Sequence, residues 1–399
     1  MNILIFAHDC GLRGAERVAA SQAVALAERG WIVTVMVPCA AGGLSEFLLQ
    51  KGINVIQVQY FSWNGPGTFK GRAYRILSNA MAIPKLIKAV RSVKPNIIYI
   101  HSIACGVGAV VAKLTKTPRI WQLHETGPCG TTPDRGSFDL GKRLSLILMR
   151  WTGCRMLAVS ATVSQLWERL LRTTPVGVMY QAVEVDKAVD IRDAPLLQKL
   201  SNWAGPKLVV VGSLSALKDQ ITAVRAMPDI LKNSPNAGLF LIGDDHQNSA
   251  HEIFATAVNL GVDDHIIYLG TLANAATAIA HADCCVITSV DEGFGRVTVE
   301  AMLCETTVIA ADVPVNREVA GDGNANYFEA SNPGSLASAV NKALKLKGSE
   351  QLDRLSDTAT FARQKFSTKV ATDILEDELF ACLKSYAQSE PEKEIDDAD

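Results

Sequence analysis

Two carboxylates, Glu292 and Glu300, stand with seven residues between them in the run SVDEGFGRVTVEAMLCETTVIAAD, Ser289 to Asp312. The run follows an apolar strand pattern, passes a glycine-rich turn and enters a helix at about Arg296 to Val299. A strand, a turn and a helix start in that order present free backbone N–H groups and the positive end of a helix dipole to an anion, a phosphate above all. Gly293 and Gly295 permit close backbone approach there. The spacing sets Glu292 on the loop and Glu300 within the first turns of the helix, so both can face one crevice. Ionised carboxylates only accept hydrogen bonds. Beside a ligand they suit hydroxyl groups and repel phosphates. Taken alone, such a turn serves equally as a tight strand-to-helix connection with surface glutamates.

The elements that must position these groups are legible as short apolar runs alternating with helical patterns, the signature of βαβ units and parallel sheets. In the first half the runs are Ile3 to Ala7, Ile32 to Val37, Val55 to Val58, Ile97 to His101, Arg119 to Leu123 and Met156 to Val159, with a helix from about Glu16 to Arg29 stopped by Gly30. The pattern restarts with Leu208 to Gly212, Leu239 to Gly243, Ile266 to Leu269, Cys284 to Thr288 and Thr307 to Ala311. Two doubly wound α/β domains are expected, residues 1–183 and 184–366, joined within the charged stretch between Tyr180 and Pro206. A last helix over 367–388 precedes an acidic tail, 389–399, with too little apolar content to fold by itself.

Composition excludes several classes. With 48% hydrophobic and 20% charged residues in 399, the chain is too apolar for extended disorder. No run approaches the eighteen apolar residues of a membrane span. The start MNILIFAHDC reads as a strand, not a signal peptide. Nine cysteines without CxxC spacing suggest neither a disulfide framework nor a zinc site, and the expected compartment is the reducing cytosol. The net charge of -2 hides an asymmetry: residues 1–183 hold 21 Lys+Arg against 8 Asp+Glu, the remainder 18 against 33. No acidic residue lies between Glu46 and Glu125. From Phe61 to Lys94 the basic residues mix with large apolar ones, a pattern that fits either an anionic membrane surface or an ordinary solvated helix. No nucleic-acid motif is present.

The run Ser289 to Asp312 resembles the donor-binding segment of the retaining glycosyltransferases of family 4, with E-x7-E at Glu292 and Glu300 and EAM at Glu300, Ala301 and Met302. LVVVGSLSALKDQ, Leu208 to Gln220, is similar to the segment whose lysine reaches the donor diphosphate, here Lys218, with Ser213 where the family usually has Arg. CGLRGAERVAASQAVALAERGWIVTV resembles the glycine loop and following helix, with Arg13 in place of the first glycine and Gly14 keeping the second. WQLHET places His124 where similar proteins hold a histidine against the donor sugar. VMYQAVEVD carries Gln181 for the usual Asn.

The resemblance implies a GT-B fold, two Rossmann-like domains facing across a cleft, the first binding the acceptor and the second the donor, with the final helix crossing back to the first. It implies Glu292, His124 and Lys218 as catalytic residues, and Gly14, Ser213, Lys218, Gly293, Phe294, Gly295, Val297, Thr298 and Glu300 as donor-binding residues, Glu300 on the ribose. The implied partners are a nucleoside diphosphate sugar, with UDP favoured by its frequency in the family, and a lipid-linked or polysaccharide glycan acceptor at the inner membrane face. No metal or other cofactor is expected: DxD occurs only at Asp397 to Asp399 in the tail, and His246, His251, His265 and His281 lack ligand spacing. His8 and His101 end predicted strands and read as structural, as does Glu318 on equal terms with a donor role. The rival readings are a nucleotide-sugar-binding homologue without turnover, motivated by Arg13, Gln181 and Ser213, and a sugar-nucleotide epimerase or phosphorylase on the same fold.

Overall fold

The computed structural model describes the chain apart from residues 12–13, 40–41, 66, 127–136, 173, 191, 246–247, 347–348 and 390–399. Arg13, His246 and all of the acidic tail after Ser389 therefore lie outside the described residues. The chain divides into two compact units: Met1–Ala182 with Thr368–Asp399, and Val183–Ser367.

The first unit is built on a parallel sheet of β1 (Asn2–Phe6), β2 (Ile32–Val37), β3 (Asn54–Gln57), β5 (Ile97–His101), β6 (Arg119–Leu123), β8 (Arg155–Ala158) and β9 (Val176–Val178), in the order β3-β2-β1-β5-β6-β8-β9. A two-residue ribbon pairs β4 (Asn64–Gly65) with β7 (Ser137–Phe138) in antiparallel fashion. Helices cover both faces of such a sheet, so its strands are apolar throughout rather than alternating. Every residue of β5 is buried, and four of five in β1. The helix Thr368–Ser389 packs Leu375, Leu379 and Cys382 into the same core as Ile3, Ile5 and Tyr99. Arg29 holds it at the rim through Glu376 at 2.5 Å and Asp373 at 2.7 Å.

The second unit repeats the plan with β10 (Lys207–Val211), β11 (Gly238–Ile242), β12 (Ile266–Gly270), β13 (Cys284–Ile287), β14 (Thr307–Ala311) and β15 (Asn326–Phe328), ordered β12-β11-β10-β13-β14-β15. All pairings are parallel, Leu208 lying beside Leu239 on one side and Cys284 on the other. In each sheet the order reverses beside the first strand, between β1 and β5 and between β10 and β13. Open α/β sheets bind ligands outside the carboxyl ends of their strands at this reversal.

The cysteines depart from the sequence expectation. Cys10 and Cys39 form a disulfide with Cα atoms 6.1 Å apart, although they stand 29 positions apart in sequence. Parallel pairing of β1 with β2 carries both to the carboxyl end of the sheet, a proximity that spacing along the chain does not reveal. Cys105, Cys154, Cys284, Cys285, Cys304 and Cys382 are free and buried.

Gly243, just past β11, sits at φ +147°, and a Cβ there would lie 2.2 Å from the Gly212 carbonyl oxygen. Only glycine lets the ends of β10 and β11 meet this closely. Gly243→Ala is expected to cost about 2–4 kcal/mol of stability, read as a lower urea midpoint at unchanged m-value.

Candidate functional site

The site in the second unit begins where β10 ends. Gly212 has no Cβ, and one placed there would stand 3.3 Å from the Lys218 side chain, so the lysine stem lies close against the backbone. The turn after it is fixed from two sides. Gln220, buried at the start of the helix Gln220–Leu231, donates through Nε2 to the carbonyls of Gly212 at 3.3 Å and Ser213 at 3.0 Å. From the end of β13, Thr288 Oγ1 donates to the Lys218 carbonyl at 2.5 Å, and Val290 N to Leu217 O at 3.1 Å. These bonds place the Lys218 ammonium against the Glu292 carboxylate, with which it forms an ion pair.

Gly295, at φ 79°, caps the helix Arg296–Leu303, and Thr298 N closes the first turn on the Gly295 carbonyl at 3.0 Å. Lys218, Ser289, Glu292, Gly295, Val297 and Thr298 line one small pocket at this helix start. Thr298 is fully buried, and its Oγ1 has no hydrogen-bond partner among the described residues. Glu300 does not line that pocket; its Oε1 lies 3.2 Å from Arg296, one turn earlier on the helix. The Phe294 side chain turns into the core, edge-on to Phe366 at 5.4 Å, so any donor contact at that position falls to its backbone. Ser213 is exposed beside the turn and carries no cation. Glu318 offers its carbonyl to Lys365 at 3.0 Å.

In the first unit three histidines gather at the carboxyl ends of β1, β5 and β6. His101 is fully buried, edge-on to Tyr99 at 4.5 Å and 5.6 Å from His124, with neither ring nitrogen hydrogen-bonded to a described residue. His8 Nδ1 lies 2.5 Å from Glu16, which is itself buried in the helix Gly14–Glu28. His124 Nδ1 meets Gln181 Nε2 at 3.2 Å. Glu125 acts as a brace, accepting from Ser102 Oγ and, at 3.1 Å, from the backbone of Ile103 and His124. Gly14 opens its helix at φ +40° next to residues outside the description. Of the other histidines, His265 and His281 are tied by Nδ1 to the carbonyls of Ala237 and Thr277, each at 2.8 Å.

Sequence reasoning placed Lys218, Glu292, Gly295, Val297 and Thr298, which the fold brings together, and His124 at its strand end. It missed Gln220 and Thr288, which hold the lysine turn, and the pairings Arg296 with Glu300, His8 with Glu16 and His124 with Gln181. Gln220 and Arg296 stand inside quoted motifs. Their types carried a signal, but their partners did not.

Both sheets with their covering helices define a GT-B protein. The chain matches Glycosyltransferase Family 4 over residues 12–187 and Glycosyl transferases group 1 over residues 198–360. It belongs to the family 4 glycosyltransferases. It is 27% identical to a phosphatidyl-myo-inositol mannosyltransferase of Mycobacterium tuberculosis over 165 residues, 40% of this chain and 42% of that one. An uncharacterised glycosyltransferase of Methanocaldococcus jannaschii is 25% identical over 336 residues, 76% of this chain and 83% of that one. Anabaena HepE, crystallised with UDP-glucose, superposes with a TM-score of 0.76 at 21% identity, covering 96% of this chain and all of that one. The mannosyltransferase match thus spans less than half of either protein.

Burial pulls His124 down from 6.5 to about 4, with His8 adding to the fall and Glu125 opposing it. Burial likewise holds His101 well below 6.5, helped by His124 and His8. For His8 burial also lowers the pKa, but Glu16, Glu125 and Asp9 together outweigh it and the net direction is up. A depressed group contributes stability that is whole above its unfolded pKa and lost as pH falls through the folded one. His124 and His101 therefore destabilise the fold as pH drops from 6.5 toward 4, His124 by about 2–3 kcal/mol. His8 opposes them, its contribution being present below 6.5 and lost as pH rises through its folded pKa. Urea midpoints measured across this window should fall with acidity in the wild type and fall less steeply in His124→Gln.

Proposed function

We propose that this protein is a retaining, metal-independent glycosyltransferase that moves a hexose-type unit from a nucleoside diphosphate sugar to a hydroxyl of a lipid-linked or polysaccharide glycan. The reading is carried by the Lys218–Glu292 ion pair at the capped N-terminus of the helix Arg296–Leu303. A donor diphosphate takes the Lys218 ammonium and meets the positive end of that helix's dipole, together with backbone N–H near Gly14. Glu292 is released toward a sugar hydroxyl, and Glu300 serves the ribose. UDP is the favoured nucleotide, in keeping with the UDP-glucose held by HepE.

In the transfer the bond from the anomeric carbon to the diphosphate oxygen breaks, and the acceptor oxygen bonds the same carbon on the same face. The acceptor proton passes to the departing phosphate oxygen, so no glutamate becomes covalently glycosylated. Lys218 and the helix terminus stabilise the charge developing on the leaving group, and His124 hydrogen-bonds the sugar.

A panel of UDP-, GDP- and ADP-sugars tested for thermal stabilisation and slow donor hydrolysis, with and without EDTA, checks this reading. One donor should be hydrolysed in EDTA, and Lys218→Ala and Glu292→Ala should each lower that rate about 10²–10³-fold. Stabilisation without hydrolysis or transfer would favour a binding homologue, release of free sugar epimer would favour an epimerase, and absence of nucleotide binding would sink the proposal.

The acceptor's setting is read from the first unit. The helix Phe69–Val93 buries only Ala82, Leu86 and Val90, leaving Phe69, Tyr74, Leu77 and Met81 exposed among basic residues. The helix Lys142–Thr152 exposes Leu144, Ile147 and Trp151, carries Lys142, Arg143 and Arg150 and has no acidic residue. Lys113, on the helix Gly106–Leu114 that packs against both, stands 5.9 Å over the Trp151 ring. Apolar side chains within a positive field fit an anionic bilayer surface. Among the described residues no helix is long and apolar enough to cross a membrane. Co-sedimentation should be strong with phosphatidylglycerol vesicles, weak with phosphatidylcholine alone, and reduced both by salt and by the combined Leu144→Ser, Ile147→Ser and Trp151→Ser substitutions. Equal binding to both vesicle types would remove the membrane from the proposal.

A further inference from the structure

We infer that Gln181 is a positioning residue that fixes the tautomer of His124, keeping the proton on Nε2 and the ring uncharged. The inference rests on the reading of His124 as a contact of the transferred sugar.

The argument starts from donors and acceptors. A neutral imidazole has one nitrogen that donates and one that accepts, and its neighbours decide which is which. The Gln181 amide nitrogen only donates, and it stands 3.2 Å from His124 Nδ1. Nδ1 must then offer its lone pair and Nε2 must carry the hydrogen. Gln181 is itself buried, 7% exposed, and sits just after β9 in the first unit. On the far side of the ring, Nε2 is buried with no hydrogen-bond partner among the described residues. The ring thus holds one satisfied acceptor and one unused donor.

The groups facing His124 are Glu125, next in sequence, His8 after β1 and His101 at the end of β5. Glu125 is the one anion among them, and its oxygens are engaged by Ser102 and by backbone N–H groups. Among the described residues no carboxylate is bonded to either ring nitrogen. That distinguishes His124 from His8, whose Nδ1 faces Glu16. A carboxylate at the position of Gln181 would draw a proton onto Nδ1 and favour imidazolium. In the proposed reaction the sugar becomes oxocarbenium-like, and a cationic ring beside it would raise the barrier. A neutral ring presenting N–H to a hydroxyl oxygen does not. An amide at 181 therefore suits the chemistry, and a carboxylate does not.

The test reads the ring directly. Nitrogen-15 long-range correlation spectra of the full chain, with His124 assigned through His124→Gln, should show the Nε2–H tautomer in wild type near neutral pH. Gln181→Met, of similar length but unable to donate, should give a tautomer mixture and lower kcat about tenfold, the scale of one neutral hydrogen bond. Gln181→Asn keeps a donor on a shorter arm and should restore part of that loss. In Gln181→Glu the His124 midpoint should rise toward or above the ordinary histidine value, and the rate should gain a limb that increases with pH, with the thermal shift by UDP unchanged. A wild-type ring protonated on Nδ1 would mean that the amide faces it with its oxygen and would overturn the inference. An unchanged tautomer in Gln181→Met would do the same. Failure of the transferase reading is seen separately, as absence of donor turnover in the wild type whatever the spectra show.

Discussion

Gly295 takes a backbone conformation, φ 79°, that residues with a Cβ rarely adopt, and the site in the second unit depends on it. The chain leaves β13 inside a sheet whose strands are buried, yet it must expose a loop and restart as a helix within a few residues. The left-handed turn achieves this by handing the Gly295 carbonyl to Thr298 N, which closes the first turn of the helix. Glu292 then falls before the turn and Glu300 after it. The opposing Lys218 turn is braced from the β10 and β13 sides by Gln220 and Thr288. The spacing of the two glutamates thus expresses a strand-to-helix geometry, and its cation comes from a different βα loop.

The electrostatics follow from that arrangement. Both glutamates already have a cation: Lys218 for Glu292 and Arg296 for Glu300. Two carboxylates alone would repel a diphosphate, but two ion pairs make the helix start nearly neutral. In the proposed donor complex an entering anion would take Glu292's place at Lys218, and the released carboxylate would then rely on a sugar hydroxyl, since a buried charge left without a partner is costly. Arg296 also bears on the absence of a cation at Ser213. The second positive side chain near this helix start is supplied by the helix's first residue and stands paired with Glu300.

The sheets were readable because parallel strands buried on both faces leave continuous apolar runs. Ile32–Val37, Ile97–His101, Arg119–Leu123 and Thr307–Ala311 coincide with expectation, and the other expected strands are displaced by a residue or so. The strands Val176–Val178 and Asn326–Phe328 and the ribbon of Asn64–Gly65 with Ser137–Phe138 went unread, since two or three residues carry no periodicity. The same distinction runs through the site. Glu292, Glu300 and Gly295 share one local run, so their relation is written in spacing. Lys218 with Thr288, Cys10 with Cys39 and His124 with Gln181 are joined only by strand order, and no window of sequence contains both members. Phe294 shows the converse limit: a motif position was legible, but the direction of its side chain, into the core against Phe366, was not.

The histidines carry that limit into chemistry. His8, His101 and His124 occupy equivalent places at the ends of neighbouring strands, and strand position alone does not tell them apart. Their partners separate them. Glu16 raises His8 against the pull of burial, while His101, without a bonded partner among the described residues, and His124, facing an amide, are left to burial and fall. One carboxylate, brought in by the helix Gly14–Glu28, therefore turns His8 upward, while burial takes His101 and His124 down. The mutual repulsion of charged rings so close together reinforces the division, because protonating His8 makes protonation of His124 and His101 harder still.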